Sequence, residues 1–182
     1  MHAIAKFIYF KLMGWTLIGD FPDVKKCVMI VVSHTSYSDF FLGLLVRRIW
    51  KEEINFIGKK SLFVGPIGWY LKKVGGAPII RNKNSDTVSA IADIFNRKEK
   101  FRLALSPEGT RNKVTEWKTG FYFIAKAAKV PVVMVAFDYG KKQIRISGAY
   151  NPTEDQAADF KLYKSFFKGV LGRIPKKSFT VD

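Results

Sequence analysis

The chain contains two histidines, His2 and His34, and one cysteine, Cys27. Chemistry that needs an imidazole rests on His34, because terminal positions such as His2 tend to fray. Five residues on stands Asp39, in Ser33-His34-Thr35-Ser36-Tyr37-Ser38-Asp39. A carboxylate bonded to one ring nitrogen fixes the imidazole tautomer and leaves the other nitrogen as a general base. On one ideal helix, positions five apart lie about 140° around the axis, so the two side chains would not face each other. They meet if His34 lies in a turn leaving a strand and Asp39 in the first turn of the next helix. The same residues carry a second reading, since Ser36-x-x-Asp39 fits a helix-start capping pattern. Spacing alone leaves both open.

Two further stretches carry chemistry-bearing side chains. Ser106-Pro107-Glu108-Gly109-Thr110-Arg111 combines a carboxylate, a glycine that lets the backbone approach a ligand, and a guanidinium fork suited to phosphate. Glu108 could orient a substrate hydroxyl or hold Arg111; an ordinary Pro-Glu-Gly turn is the plain alternative. Arg81, at the end of Gly75-Gly76-Ala77-Pro78-Ile79-Ile80-Arg81, is a second fork for phosphate or a surface arginine on a loop. The chain has no GxxxxGK[ST], no GxGxxG and no GxSxG. Ser33, Ser36 and Ser38 crowd His34, but a serine, histidine and aspartate within seven residues would need tight contortion. Cys27 lies in an apolar run and reads as an inert core thiol. A lone cysteine allows neither an internal disulfide nor a multi-cysteine metal site, and no metal is expected.

Strands alternating with helices must position these residues. CVMIVVS (27–33) is a continuous β-branched run, the mark of a strand buried on both faces. A helix over 39–50 ends in basic residues, which suits its dipole. INFIG (54–58) reads as a strand, and 61–73 as a helix interrupted at Gly65-Pro66 and Gly68. APII (77–80) is a short strand. Val88, Ile91, Ala92 and Phe95 share one helix face. FRLALS (101–106) is a strand, 119–129 a helix, and a strand starts at Pro131. KQIRIS (142–147) reads as its antiparallel return. Thr153-x-x-Gln156 resembles a capping box before a helix bearing Phe160, Tyr163, Phe167 and Val170 on one face. The pattern predicts an α/β fold: a single domain with a mostly parallel sheet flanked by helices. Ligands of such sheets sit beyond the carboxyl ends of strands, where CVMIVVS, APII and FRLALS deliver His34, Arg81 and Glu108.

With 182 residues the chain is long enough for one buried core, and 48% apolar content excludes a disordered chain. The formal charge is +16 and is dispersed, which calls for an anionic partner. Residues 4–18 are apolar but carry Lys6 and Lys11, too short and too charged a stretch for a membrane span. With Tyr9 and Trp15 beside lysines, they suit a helix lying in a membrane interface or one packed on the domain. The division expected is residues 1–22 as this apolar, interfacial helix and 23–182 as the domain. No small-residue cleavage site follows the apolar stretch, so a secretory signal is not expected.

The His-x4-Asp pair in HTSYSD (34–39), GGAPIIR (75–81), PEGTR (107–111) and VPVV (130–133) together resemble the glycerolipid acyltransferase family, in the family's block order. The resemblance covers roughly residues 25–140 and includes glycerol-3-phosphate and lysophosphatidic acid acyltransferases. It implies acyl transfer from a thioester, acyl-coenzyme A or acyl carrier protein, to the hydroxyl of a lysophospholipid acceptor. His34 would then be the general base and Asp39 its orienting carboxylate. Arg81 and Arg111 would hold the acceptor phosphate, Glu108 would support the acceptor or Arg111, and Gly109 and Thr110 would shape the loop. No cofactor is implied. The expected setting is the cytoplasmic face of an anionic phospholipid membrane, in peripheral or monotopic attachment. A different lysolipid or an amine-bearing lipid is the nearest rival acceptor. A non-catalytic basic module for membranes or nucleic acid is the rival of another class. The absence of an aromatic-rich RNA-binding signature argues against nucleic acid as a partner.

Overall fold

The computed structural model describes residues 2–79 and 87–181, and Arg81 lies outside them. The N-terminal helix α1 (His2–Lys6) continues as a wider turn over Phe7–Leu12. There follow β1 (Thr16–Ile18), β2 (Lys26–Val32), α2 (Ser38–Trp50) and β3 (Asn55–Lys59). Next come a single 3₁₀ turn (Lys60–Leu62), α3 (Gly65–Lys73), β4 (Gly76–Ile79) and α4 (Thr87–Arg97). The chain ends with β5 (Phe101–Leu105), α5 (Gly120–Ala128), β6 (Val132–Asp138), β7 (Gln143–Tyr150), α6 (Gln156–Phe166) and a 3₁₀ turn (Pro175–Lys177).

The strands form one seven-stranded sheet in the order β1-β7-β6-β2-β5-β3-β4. Strands β4, β3, β5, β2 and β6 run parallel, and β7 returns antiparallel beside β6. Alternation along β2 and β6 explains why their sequences lack a polar face. Val28, Ile30, Val132 and Met134 enter one core, with Ile91, Phe95, Phe121 and Tyr163 from α4, α5 and α6. Cys27, Met29, Val133 and Val135 enter the other, with Tyr9 and with Leu42 and Val46 of α2. Side chains of period two between two helical layers make both faces apolar. The predicted α/β architecture, mostly parallel and flanked by helices, is the one observed.

Of the two readings of residues 4–18, packing on the domain is the one seen, over a shorter helix than expected. The helix stops at Leu12, and Thr16–Ile18 pair with β7 as an edge strand. Tyr9 and Trp15, which from sequence suited either a membrane interface or packing on the domain, are buried in the core. Tyr9 donates its hydroxyl to the Thr16 carbonyl at 2.8 Å, and Trp15 packs edge-on against Tyr139. Ile4, Phe7 and Leu12 point outward instead. The helix start near 156 also differs in detail. Asp155, not Thr153, caps α6 by accepting from the Ala158 amide at 3.0 Å, while Thr153 accepts from the Asp155 amide. No helix among the described residues is long and apolar enough to cross a membrane.

Candidate active site

His34 stands two residues beyond β2, and Ser106 directly follows β5, the neighbouring strand. Glu108 ties these two turns together. Its Oε2 accepts from the His34 backbone amide at 2.7 Å and from the Ser106 hydroxyl at 3.1 Å. The carboxyl is buried, and burial pushes its pKa above the ordinary carboxylate range, against the pull of those two donors. Glu108 therefore fixes the backbone that carries His34. Of the roles read for it from sequence, holding Arg111 is not among its bonds to the described residues.

That upward shift has a consequence for stability. A carboxyl whose pKa is higher in the folded state binds its proton more readily there. Its contribution is then present at low pH and is lost as pH rises through the folded value. In Glu108→Gln the amide can keep both bonds and has no charge to bury. Between about pH 4 and pH 8 the variant's melting temperature relative to wild type should rise with pH. A difference that stays flat or falls contradicts the assignment.

The imidazole of His34 and the carboxylate of Asp39 meet as the turn-and-helix arrangement requires. Nδ1 lies 3.1 Å from Asp39 Oδ2, with the His34 side chain 30% exposed and that of Asp39 1% exposed. The same Oδ2 accepts from the Ser36 amide at 2.9 Å, so the capping reading and the dyad reading hold together. Oδ1 accepts from the Tyr139 hydroxyl at 2.7 Å. Burial, and after it the hydrogen bond to Asp39, raise the tyrosine's pKa and hold it protonated as a donor. In a neutral imidazole the ring nitrogen facing a carboxylate carries the hydrogen, and the other nitrogen, here Nε2, is the acceptor.

Arg111 lies over the Tyr37 ring, its guanidinium carbon 3.6 Å from the ring centre. Its Nε is buried and unpaired among the described residues. Stacking of this kind holds a guanidinium plane while its outer donors stay available. Gly109 adopts φ +63°, and a Cβ there would meet the Lys118 side chain at 2.8 Å. The Thr110 hydroxyl accepts from the Asn112 amide at 3.2 Å and so shapes the loop. Cys27 is buried in the sheet, which pushes its thiol up to about 12, in keeping with an inert role.

Sequence reasoning missed three contributors. Tyr139 follows β6, and the same strand-edge rule applied to that strand would have pointed to it. Tyr37 gave no signal beyond its place in the His34 segment. The third is the segment 171–178. It covers the buried side of the His34 turn, with the Ile174 amide donating to Thr35 Oγ1 at 3.1 Å. Only glycine fits at Gly172, where a Cβ would lie 2.6 Å from Thr35 Oγ1 and 2.9 Å from Ser33 Oγ. Beside Ser38 and Tyr139 opens a cleft of about 410 Å³, walled by Met13, Trp15, Phe41, Leu42 and Leu45.

Known proteins resemble this chain in sequence and in fold. Over 121 residues the chain is 32% identical to the human 1-acyl-sn-glycerol-3-phosphate acyltransferase beta, covering 63% of this chain and 42% of that protein. Over 104 residues it is 32% identical to the Escherichia coli (strain K12) 1-acyl-sn-glycerol-3-phosphate acyltransferase, covering 52% of this chain and 41% of that protein. The chain thus spans about two fifths of the length of these relatives. The crystal structure of the 1-acyl-sn-glycerophosphate (LPA) acyltransferase PlsC from Thermotoga maritima superposes with a TM-score of 0.63. That match covers 91% of this chain and 74% of the other at 18% identity, a likeness of fold. The family model described as Acyltransferase matches residues 19–138, which hold β2, β5, β6 and the dyad, and on that match the chain belongs to the acyltransferase family.

Proposed function

We propose that the protein transfers a fatty acyl group from a thioester to the hydroxyl of lysophosphatidic acid or a closely related lysophospholipid. The observation that carries this reading is His34 Nδ1 held at 3.1 Å by the buried Asp39, which turns Nε2 away from that carboxylate. An alcohol attacks a thioester well only if a base takes its proton during attack, which is worth about 10²–10⁴-fold. His34 Nε2 takes that proton as the acceptor oxygen bonds to the acyl carbon. The carbon–sulfur bond breaks, and the imidazolium returns the proton to the leaving thiolate. Asp39 orients the ring and stabilises its charged form, and Tyr139 and the Ser36 amide hold Asp39 in turn. Product and free thiol account for every atom, so the reaction needs no cofactor beyond the thioester of coenzyme A or acyl carrier protein.

Arg111, and Arg81 by resemblance, hold the acceptor phosphate so that its hydroxyl meets the thioester in a productive geometry. The loop at Gly109 and Thr110 lies between these groups in the chain. The apolar cleft beside Ser38 suits a hydrocarbon chain, and its wall includes Phe41 and Leu45. The acceptor is itself a lipid, so an anionic membrane at its cytoplasmic face is the partner surface.

Arg111→Ala tests the phosphate role. The lost charge-assisted hydrogen bonds should lower kcat/KM for a phosphate-bearing acceptor about ten- to hundredfold. Turnover of a neutral monoacylglycerol should hardly change. Equal losses on both acceptors contradict the role, and preferred turnover of an amine-bearing acceptor would change the substrate class.

A further inference from the structure

We propose that the turn and helix from Lys60 to Lys73 are the surface that docks on an anionic lipid leaflet. Leu62, Val64, Ile67, Trp69 and Tyr70 are all exposed within this short span, Val64, Ile67 and Trp69 by 69%, 70% and 64%. Contiguous apolar exposure of this kind marks a contact surface. Tryptophan and tyrosine in particular favour the level of the lipid head groups, where one end of the ring is wet.

The charge around the patch selects the partner. From Ile54 to Ile79 the sequence carries Lys59, Lys60, Lys72 and Lys73 and no Asp or Glu. All four lysines are exposed and flank the apolar residues at both ends of the segment. Lys73 also lies over the Trp69 ring at 4.9 Å. Apolar side chains framed by lysines alone match a surface of hydrocarbon beneath anionic head groups.

The patch is held stiffly. Phe63 is buried, and a Cβ at Gly68 would lie 2.1 Å from the Phe63 carbonyl carbon, so only glycine allows the turn to close this tightly. The Gly68 amide donates to the Val64 carbonyl at 3.0 Å. Leu62, Val64 and Ile67 are therefore presented without a large ordering cost on contact.

Its place in the fold joins it to the site. Strands β3, β5 and β2 run parallel, so the chain leaves β3 at the edge where His34 and Ser106 emerge. Exposed Tyr37 and Phe41 lie at that edge too. The N-terminal helix is another exposed apolar feature, but it starts at the far end of α2, where His2 bonds to the Arg48 carbonyl. A leaflet on the Lys60–Lys73 surface would sit at the mouth of the site. This inference rests on the lipid-acceptor reading for its meaning, but not for its test.

The test uses the full chain with vesicles of phosphatidylcholine, alone and with phosphatidylglycerol added. Trp69 is the most exposed of the four tryptophans, since Trp15 and Trp117 are buried and Trp50 is half-buried. Its emission should shift to the blue on anionic vesicles and be quenched by brominated acyl chains. Ile67→Asp should weaken vesicle binding about tenfold or more, the loss of one buried aliphatic side chain. Lys59→Gln and Lys60→Gln should each weaken it about fivefold on anionic vesicles. Circular dichroism should show each variant folded, and turnover of a water-soluble short-chain acceptor should be unchanged. Ile4→Asp with Phe7→Asp should bind as wild type. The proposal is overturned if vesicles bind without an effect on Trp69, or if only the N-terminal variant loses binding. It is equally overturned if anionic vesicles are not bound, or if Ile67→Asp merely breaks a dimer of two copies. Vesicle binding is read without turnover, so failure of acyl transfer and failure of docking are separate outcomes.

Discussion

His34→Ala should lower kcat/KM for acyl transfer by about 10²–10⁴-fold, the usual contribution of a positioned general base. Stability should change by no more than about 1 kcal/mol, as for a partly exposed side chain outside the core. Three features make the separation sharp. The bond from His34 to Glu108 comes from the backbone amide and survives the substitution. Asp39 loses one partner but keeps the Ser36 amide and the Tyr139 hydroxyl. The ring itself is partly open to solvent and adds little to the core. Steady-state kinetics with thermal melts on the same samples check both halves. Most of the activity surviving would remove His34 from the chemistry.

Substitutions at Asp39 should cost both activity and stability, because its carboxylate binds the Ser36 amide just before α2 as well as the His34 ring. In Asp39→Ala the Ser36 amide loses its acceptor, while the half-buried Tyr139 hydroxyl keeps Ser38 Oγ at 3.2 Å. At about 1–3 kcal/mol for a donor left unsatisfied, the expected loss is about 1–3 kcal/mol. Asp39→Asn keeps the volume and one acceptor oxygen but turns an NH₂ toward a donor. It should therefore upset the imidazole tautomer, with a fall in kcat of the same order as for His34→Ala. Residues that act as a unit are not additive, so His34→Ala combined with Asp39→Asn should fall little below His34→Ala alone. A variant Asp39→Asn that melts early but turns over normally would reduce Asp39 to a cap.

Much of this site was legible because the sheet writes itself strongly into the sequence. CVMIVVS and PVVMVAFDY read as buried strands since β2 and β6 bury both faces, and the edge rule then placed His34 and Glu108 together. The break at Gly65-Pro66 was legible from the breaker pair, and α3 starts there, but Gly68 does not interrupt it. The three-residue strand β1 was not legible, because its stability comes from pairing with β7 and not from local preference. Nor were Tyr9 and Trp15 as core residues. An amphipathic aromatic beside a lysine reads the same whether its partner is a lipid or the domain itself. Capping by Asp155 was hidden by Thr153 two residues earlier, since both types cap well. Tyr139 and Gly172 act through contacts across about 100 and 140 positions of sequence, which no local pattern records. The charge of +16 now divides, with Arg111 stacked at the site, Arg102 buried against Glu52, and exposed lysines around the Lys60–Lys73 surface.

The central claim is acyl transfer to a lysophospholipid hydroxyl. Its most direct test is mass spectrometry of the products after the purified protein meets a long-chain acyl thioester and 1-acyl-glycerol-3-phosphate together. The account predicts the diacyl phosphate, one free thiol for each molecule formed, and neither in excess with His34→Ala. Thiol release with free fatty acid as the only new lipid, or no thiol release at all, would contradict it.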